Sequence, residues 1–152
     1  MVLTVGDKIP SFTAKDEYNE TFNCADLIGS PFVIYFYPKD DTPGCTIEAC
    51  SFRDNIEHLD NLDTVVIGVS PDSPESHQKF IHKHELNFTL LCDEKLDLAT
   101  KFGAVEDANG IKKIVRSTFL VDGEGILRWL EKPVNVTGHT DRVIKAIQTL
   151  PT

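Results

Sequence analysis

The 152 residues include 15 basic and 24 acidic side chains, for a net charge of −9, and 41% of the chain is hydrophobic. That balance is ordinary for one globular domain, while the negative charge opposes binding to nucleic acid or to an anionic membrane surface. No apolar run approaches the roughly 20 residues of a membrane span, and residues 1–7 show no basic stretch leading into an apolar core, so neither an anchor nor a signal peptide is expected. Four cysteines are too few for a disulfide-dense secreted scaffold, and a reducing, cytoplasmic setting is expected.

In chain order, residues 8–23 read as short strands around a turn at 16–20, with Phe12 and Phe22 as core anchors. Residues 25–29 read as one helical turn ended by Gly29. The run 32–37 is apolar and aromatic throughout and reads as a buried strand; a helix is expected from about 43 to 59. Residues 64–69 suit a second buried parallel strand, and Asp72-Ser73-Pro74-Glu75 opens a helix that runs to His84. A short strand over 88–92 and a short helix over 96–102, closed by Gly103, come next. Residues 104–113 read as a loop turning at Asn109-Gly110, then strands over 114–121 and 125–131 form a hairpin through Asp122-Gly123-Glu124-Gly125. A last helix is expected over 140–150. Strand–helix–strand units followed by a hairpin and a helix imply an α/β architecture with a mixed sheet flanked by helices.

The stretch 35–50 carries the chemistry. The strand stops at Pro38, and Thr42-Pro43 is a helix start with Thr42 as N-cap and proline at the first helical position. Cys45 then falls in the first turn, where a capping box would place a carboxylate because free N–H groups and the positive dipole end favour negative charge. The same field favours a thiolate, which is the nucleophilic form of cysteine. The competing reading is a small buried hydrophobe, but the polar flanks and the strand-to-helix turn, where α/β sheets place ligands, favour reactivity.

Cys50 follows five residues later. On a regular helix the two Cα atoms lie about 8.7 Å apart on different faces, beyond the roughly 7 Å that a disulfide spans. A bridge therefore requires the first turns to unwind, which suits a transient bond better than a permanent one. A core position for Cys50 remains an alternative; a zinc site is a poor one, because no second ligand pair has matching spacing.

The stretch Tyr35 to Asp54, with Pro38, Thr42 and Cys45 spaced P-x3-T-x2-C, resembles the active-site signature of the peroxiredoxins. The wording Y-F-Y-P-K-D-D-T-P-G-C-T, with a cysteine five residues on, is similar to the bacterioferritin comigratory (Q-type) branch. Residues 116–122 and Gly138-His139 extend the likeness over nearly the whole chain. The resemblance implies a thioredoxin-like fold and thiol-dependent reduction of hydrogen peroxide and organic hydroperoxides. It implies Cys45 as the peroxidatic nucleophile and Cys50 as the resolving thiol, with thioredoxin or a similar dithiol as external reductant, since the chain has no C-x-x-C. It further implies that Thr42 bonds the sulfur and the peroxide, that Arg116 holds the developing charge, that Pro38 shields the sulfur from water, and that Glu48 orients Arg116. A monomer without cofactor or metal is expected.

The remaining singular residues attract blander readings. Cys92 is expected in the core, and Cys24 is expected partly exposed. His77, His82 and His84 share a helix at spacings that do not make one face, which reads as a solvated surface. Trp129, alternating with Leu127 and Glu131, is expected to pack on the sheet, and His139 to flank a helix without catalytic work. Two other functions compete with the two-cysteine peroxidase: a one-cysteine enzyme in which Cys50 is idle, and a redox-regulated binding module that oxidises once and stops.

Overall fold

A computed structural model describes residues 3–150. Its strands β1 (Thr13–Asp16), β2 (Thr21–Asn23), β3 (Phe32–Phe36), β4 (Val65–Ser70), β5 (Thr89–Cys92), β8 (Ser117–Val121) and β9 (Leu127–Glu131) form one sheet in the order β2-β1-β5-β4-β3-β8-β9. Strands β3, β4 and β5 run parallel, and the remaining pairings are antiparallel. Between β5 and β8 a separate hairpin pairs β6 (Val105–Ala108) with β7 (Ile111–Ile114). The helices are α1 (Pro43–Asp54), α2 (Ile56–Asn61), α3 (Pro74–His84), α4 (Asp97–Phe102) and α5 (His139–Gln148), with a 3-10 turn at Cys24–Leu27. Among the described residues no helix is long and apolar enough to cross a membrane.

Every residue of β3 is buried, so the strand feeds two cores at once. Side chains alternate across a strand. Phe32, Ile34 and Phe36 therefore join Ile67, Val69, Phe119 and the α4 residues Leu98 and Phe102 on one face. Val33 and Tyr35 join Val66, Leu90, Leu120 and residues of α1, α3 and α5 on the other. This second layer sets the site, because it seats the first turn of α1 against the carboxyl end of β3, the end where open parallel sheets present their chemistry. At the centre of β4, Gly68 leaves room for Tyr35: a Cβ there would sit 2.9 Å from Tyr35 Cζ and 2.7 Å from Leu90 Cδ2.

The expected helix over 43–59 is two helices. Asn55 breaks it, with φ −112° and ψ 8°. Its side-chain amide donates to the Ser51 carbonyl at 2.8 Å, taking the acceptor that its backbone N–H would use in a continuous helix. The expected loop over 104–113 is the β6–β7 hairpin. Asn109 (φ 55°) and Gly110 (φ 81°) supply the two left-handed residues of a tight turn. Opposite charges face each other across it, Glu106 against Lys113 and Asp107 against Lys112.

The hairpin of β8 and β9 also departs from simple alternation. A bulge shifts the register so that Leu120 opposes Trp129 and Val121 opposes Leu127. Trp129 packs on the sheet as expected, but Leu127 lies in the opposite core, because one inserted residue inverts the pleat.

Candidate active site

Thr42 occupies the N-cap position of α1, Pro43 the first turn, and Cys45 the third helical residue. That first turn contains no acidic side chain, so the sulfur of Cys45 sits against the dipole's positive end with no carboxylate competing for it. Cys45 is 1% exposed and packs in the core layer with Ala49 and Phe52.

Arg116 comes from the segment just before β8, 71 residues away in sequence. Its backbone is held there by a hydrogen bond from Val134 N–H to the Arg116 carbonyl, 2.9 Å. The guanidinium donates from Nη2 to Cys45 Sγ at 3.1 Å and from Nη1 to Glu48 Oε1 at 2.9 Å. One planar fork thus joins the sulfur to the carboxylate, a geometry a lysine does not reproduce. Burial opposes the charge on Arg116, but Glu48 and Cys45 more than offset it and its pKa is raised. Gly44 makes the approach possible: a Cβ there would meet Arg116 Nη2 at 3.2 Å.

Glu48 lies one turn beyond Cys45 with its side chain fully buried. Burial pushes its carboxyl up to about 7, with Arg116 pulling the other way. Its second oxygen, Oε2, lies 3.4 Å from Nδ1 of His139, the first residue of α5. No hydrogen bond forms there, and Oε2 and both His139 ring nitrogens are buried without partners among the described residues. Burial lowers His139 to about 4, and its ring stands edge-on to Phe52 at 5.4 Å. The Tyr35 hydroxyl is likewise buried and unpartnered.

The other expected site residues are placed less directly. Thr42 caps by position only; its hydroxyl donates to the Lys39 carbonyl at 3.0 Å, and its one proton is not directed at the sulfur. Pro38 is exposed, two residues past the end of β3. Cys50 is half-buried, all four cysteines are free thiols, and α1 is continuous from Cys45 through Cys50. Five residues of helix rotate about 140° around the axis, so the two sulfurs face different ways.

Several expectations change. Cys24 is buried rather than partly exposed, and accepts from Phe12 N–H at 3.1 Å. Cys92 is only half-buried, its thiol pushed up to about 12 by desolvation first and by Glu94 and other carboxylates after. His77 is not on a solvated face: it is wholly buried, between Asp40 and the Leu91 carbonyl. Asp40, Asp72 and His77 bring ligand-type atoms within 4.8 Å of one another, but the His77 nitrogens and the facing carboxylate oxygens are engaged by protein groups. Sequence reasoning missed His139 and Tyr35 as neighbours of Glu48, since nothing local marks which helix caps a buried carboxylate 91 residues away.

Residues 5–130 match the AhpC/TSA family. The chain is 46% identical to Peroxiredoxin Bcp of Bacillus subtilis, covering 99% of this chain and 96% of that protein. It is 37% identical to Peroxiredoxin Bcp of Escherichia coli, covering 93% and 94%. Among solved structures it is similar to the bacterioferritin comigratory protein of Xanthomonas campestris, from work on that protein's alkyl peroxide reduction, with TM-score 0.88, 31% identity and 93% and 98% coverage. A peroxiredoxin Q cysteine variant from Xylella fastidiosa aligns with TM-score 0.92, 27% identity and 97% coverage of both chains. With a thioredoxin-like fold and this agreement along its length, the chain belongs to the AhpC/TSA family, in the Bcp branch of the peroxiredoxins.

Proposed function

We propose that the protein reduces hydrogen peroxide and organic hydroperoxides, with Cys45 as the attacking group. The observation that carries this reading is the guanidinium bridge from Cys45 Sγ to Glu48 Oε1 through Arg116. A cation 3.1 Å from the sulfur favours its charged form, and the same N–H groups meet the charge that builds on the leaving oxygen. A fixed donor in such a site is worth about 3–4 kcal/mol.

The thiolate attacks the terminal oxygen of the hydroperoxide. An S–O bond forms as the O–O bond breaks, and the departing alkoxide takes up a proton and leaves as the alcohol. Cys45 is then a sulfenic acid. The Cys50 sulfur displaces its hydroxide, which leaves as water with the Cys50 proton, and a Cys45–Cys50 disulfide remains. An external dithiol of the thioredoxin type reduces that bond by exchange. Condensation requires α1 to unwind around residues 43–50, since an intact helix keeps the two cysteines on different faces. In this reading the Thr42 hydroxyl oxygen accepts a hydrogen bond from the peroxide and Pro38 limits water at the mouth. A monomer acting in the cytoplasm, without nucleic acid or membrane partners, fits the acidic surface.

Peroxide consumption coupled to thioredoxin, its reductase and NADPH tests the whole scheme. Cys45→Ser eliminates turnover. Cys50→Ser is oxidised once by peroxide and then stops, gaining one oxygen by mass rather than losing two hydrogens. Sustained thioredoxin-coupled turnover by Cys50→Ser would remove Cys50 and leave a one-cysteine enzyme; a wild type that consumes only one equivalent would make the protein a sensor.

A further inference from the structure

The segment from Tyr37 to Thr42, which carries Pro38 and Thr42, is fastened to α3 through one buried acid. Asp40 is 8% exposed. Its carboxylate accepts from the Tyr37 hydroxyl at 2.5 Å, the Ser76 hydroxyl at 2.8 Å and His77 Nδ1 at 2.7 Å. Its backbone N–H donates to Asp72 Oδ2 at 2.7 Å, and the Ser70 hydroxyl donates to the same oxygen. The far nitrogen of His77, Nε2, faces the Leu91 carbonyl at 2.9 Å.

Proton counting fixes one ring hydrogen. A carbonyl only accepts, so Nε2 carries a hydrogen, and Nδ1 and the Asp40 carboxyl share a second hydrogen bond. The two side chains are 0% and 4% exposed. Burial alone would lower the His77 pKa, yet the Asp40 hydrogen bond and charge raise it. The neighbouring Asp41, with φ 60°, makes a second, outer clasp to the same helix through Lys83 at 2.6 Å and His84 at 2.9 Å.

Burying a hydrogen-bonded acid and imidazole is a poor route to stability, since a well-packed apolar pair of the same volume does as well. What the pair supplies here is position. We infer that Asp40 and His77 are positioning residues that hold the segment bearing Pro38 and Thr42 against α3, both during attack by Cys45 and while α1 unwinds. The hinge for unwinding then falls between Thr42 and Pro43, with the anchored segment as its fixed side. The inference rests on the peroxidase reading for its functional half, and on geometry alone for the anchor.

The experiment uses the full-length reduced protein with His77→Gln, Asp40→Asn and the milder Ser76→Ala. Three rates are compared at pH 7: Cys45 oxidation by hydrogen peroxide in one turnover, Cys45 alkylation by iodoacetamide, and amide hydrogen exchange across residues 37–42. Displacing positioning groups by an ångström costs up to ~100-fold in rate, so His77→Gln and Asp40→Asn are expected to slow peroxide attack at least ~10-fold. Alkylation, which needs the sulfur and Arg116 but not the peroxide mouth, stays within about twofold, and Ser76→Ala, which loses one hydrogen bond of about 1 kcal/mol, slows attack about fivefold. Amides of residues 37–42 lose protection while those of β4 keep theirs. Unchanged peroxide rates, or peroxide and alkylation rates falling together, overturn the positioning role. Unchanged exchange over 37–42 overturns the anchor, even if the wild type proves inert to peroxide and the peroxidase reading itself fails. If His77→Gln does not fold, Ser76→Ala decides by the same three rates.

Discussion

The buried Glu48–His139 pair makes a quantitative prediction about stability against pH. Glu48 holds its proton more tightly when folded, at about 7 against 4.5 unfolded. Its contribution is complete below pH 4.5 and is lost as pH rises through 7. His139 holds its proton less tightly when folded, at about 4 against 6.5. Its contribution is complete above pH 6.5 and is lost as pH falls through 4. Each gap, 7 less 4.5 and 6.5 less 4, converts at about 1.36 kcal/mol per pH unit to roughly 3 kcal/mol. The two slopes oppose each other between pH 4.5 and 6.5. There the folded pair and the unfolded pair each hold one proton, which folding moves from the histidine to the carboxyl, so together they contribute no net slope.

Single substitutions expose the hidden slopes. In His139→Phe the ring contact to Phe52 is kept and Glu48 acts alone, so stability relative to wild type falls by about 3 kcal/mol from pH 4.5 to 6.5. In Glu48→Gln the histidine acts alone, and relative stability rises by about 3 kcal/mol over the same interval. The other charges facing the pair are Arg116, Glu131 and Arg142, and they keep their charge in this window, Glu131 because Arg142 lowers its pKa. Asp41 and Asp122 are also lowered and act below it, while His77 is raised and acts above it. Urea unfolding of the reduced proteins at pH 4.5, 5.5 and 6.5 measures the slopes directly. Two variants whose stabilities run parallel to wild type would refute the account, because the pair would then have ordinary pKa values despite its burial.

Arg116→Lys replaces a two-pronged donor with a point charge that cannot reach Sγ and Oε1 together, and is expected to slow Cys45 oxidation by peroxide about 10- to 100-fold; stopped-flow oxidation within twofold of wild type would remove the fork from the mechanism. Gly44→Ala places a methyl 3.2 Å from Arg116 Nη2, and the guanidinium must withdraw from the sulfur. Cys45 alkylation at pH 7 should slow while the melting temperature hardly moves. Gly68→Ala puts a methyl 2.7 Å from Leu90 Cδ2 and 2.9 Å from Tyr35 Cζ, and overpacking at a fully buried strand centre should cost about 1–3 kcal/mol in a urea titration.

Much of the molecule is legible in its sequence because the signals are local. The unbroken run 32–36, short, rich in aromatic and β-branched residues and stopped near Pro38, reads as a strand buried on both faces, and Thr42-Pro43 reads as a helix start, so Cys45 is placed in a first turn before any tertiary contact is known. Asn109-Gly110 carried a hairpin signal that the polar flanks obscured, since those strands hold together by opposed charges and bury little. The break at Asn55 depends on one side-chain hydrogen bond competing with one backbone bond, a balance that helical periodicity does not register.

The tertiary structure decided what no window of the chain contains. Arg116 reaches Cys45 across 71 positions, His139 reaches Glu48 across 91, and Asp40 reaches His77 across 37. Local sequence sets backbone conformation, which depends on neighbours within a turn or two. Charge, burial and pKa depend on what the sheet order brings together, and β8 beside β3 brings the guanidinium to the sulfur. A histidine reads the same in sequence whether it is solvated like His82, buried and hydrogen-bonded at both nitrogens like His77, or buried without a hydrogen-bond partner among the described residues like His139. Only the packing around each ring separates them.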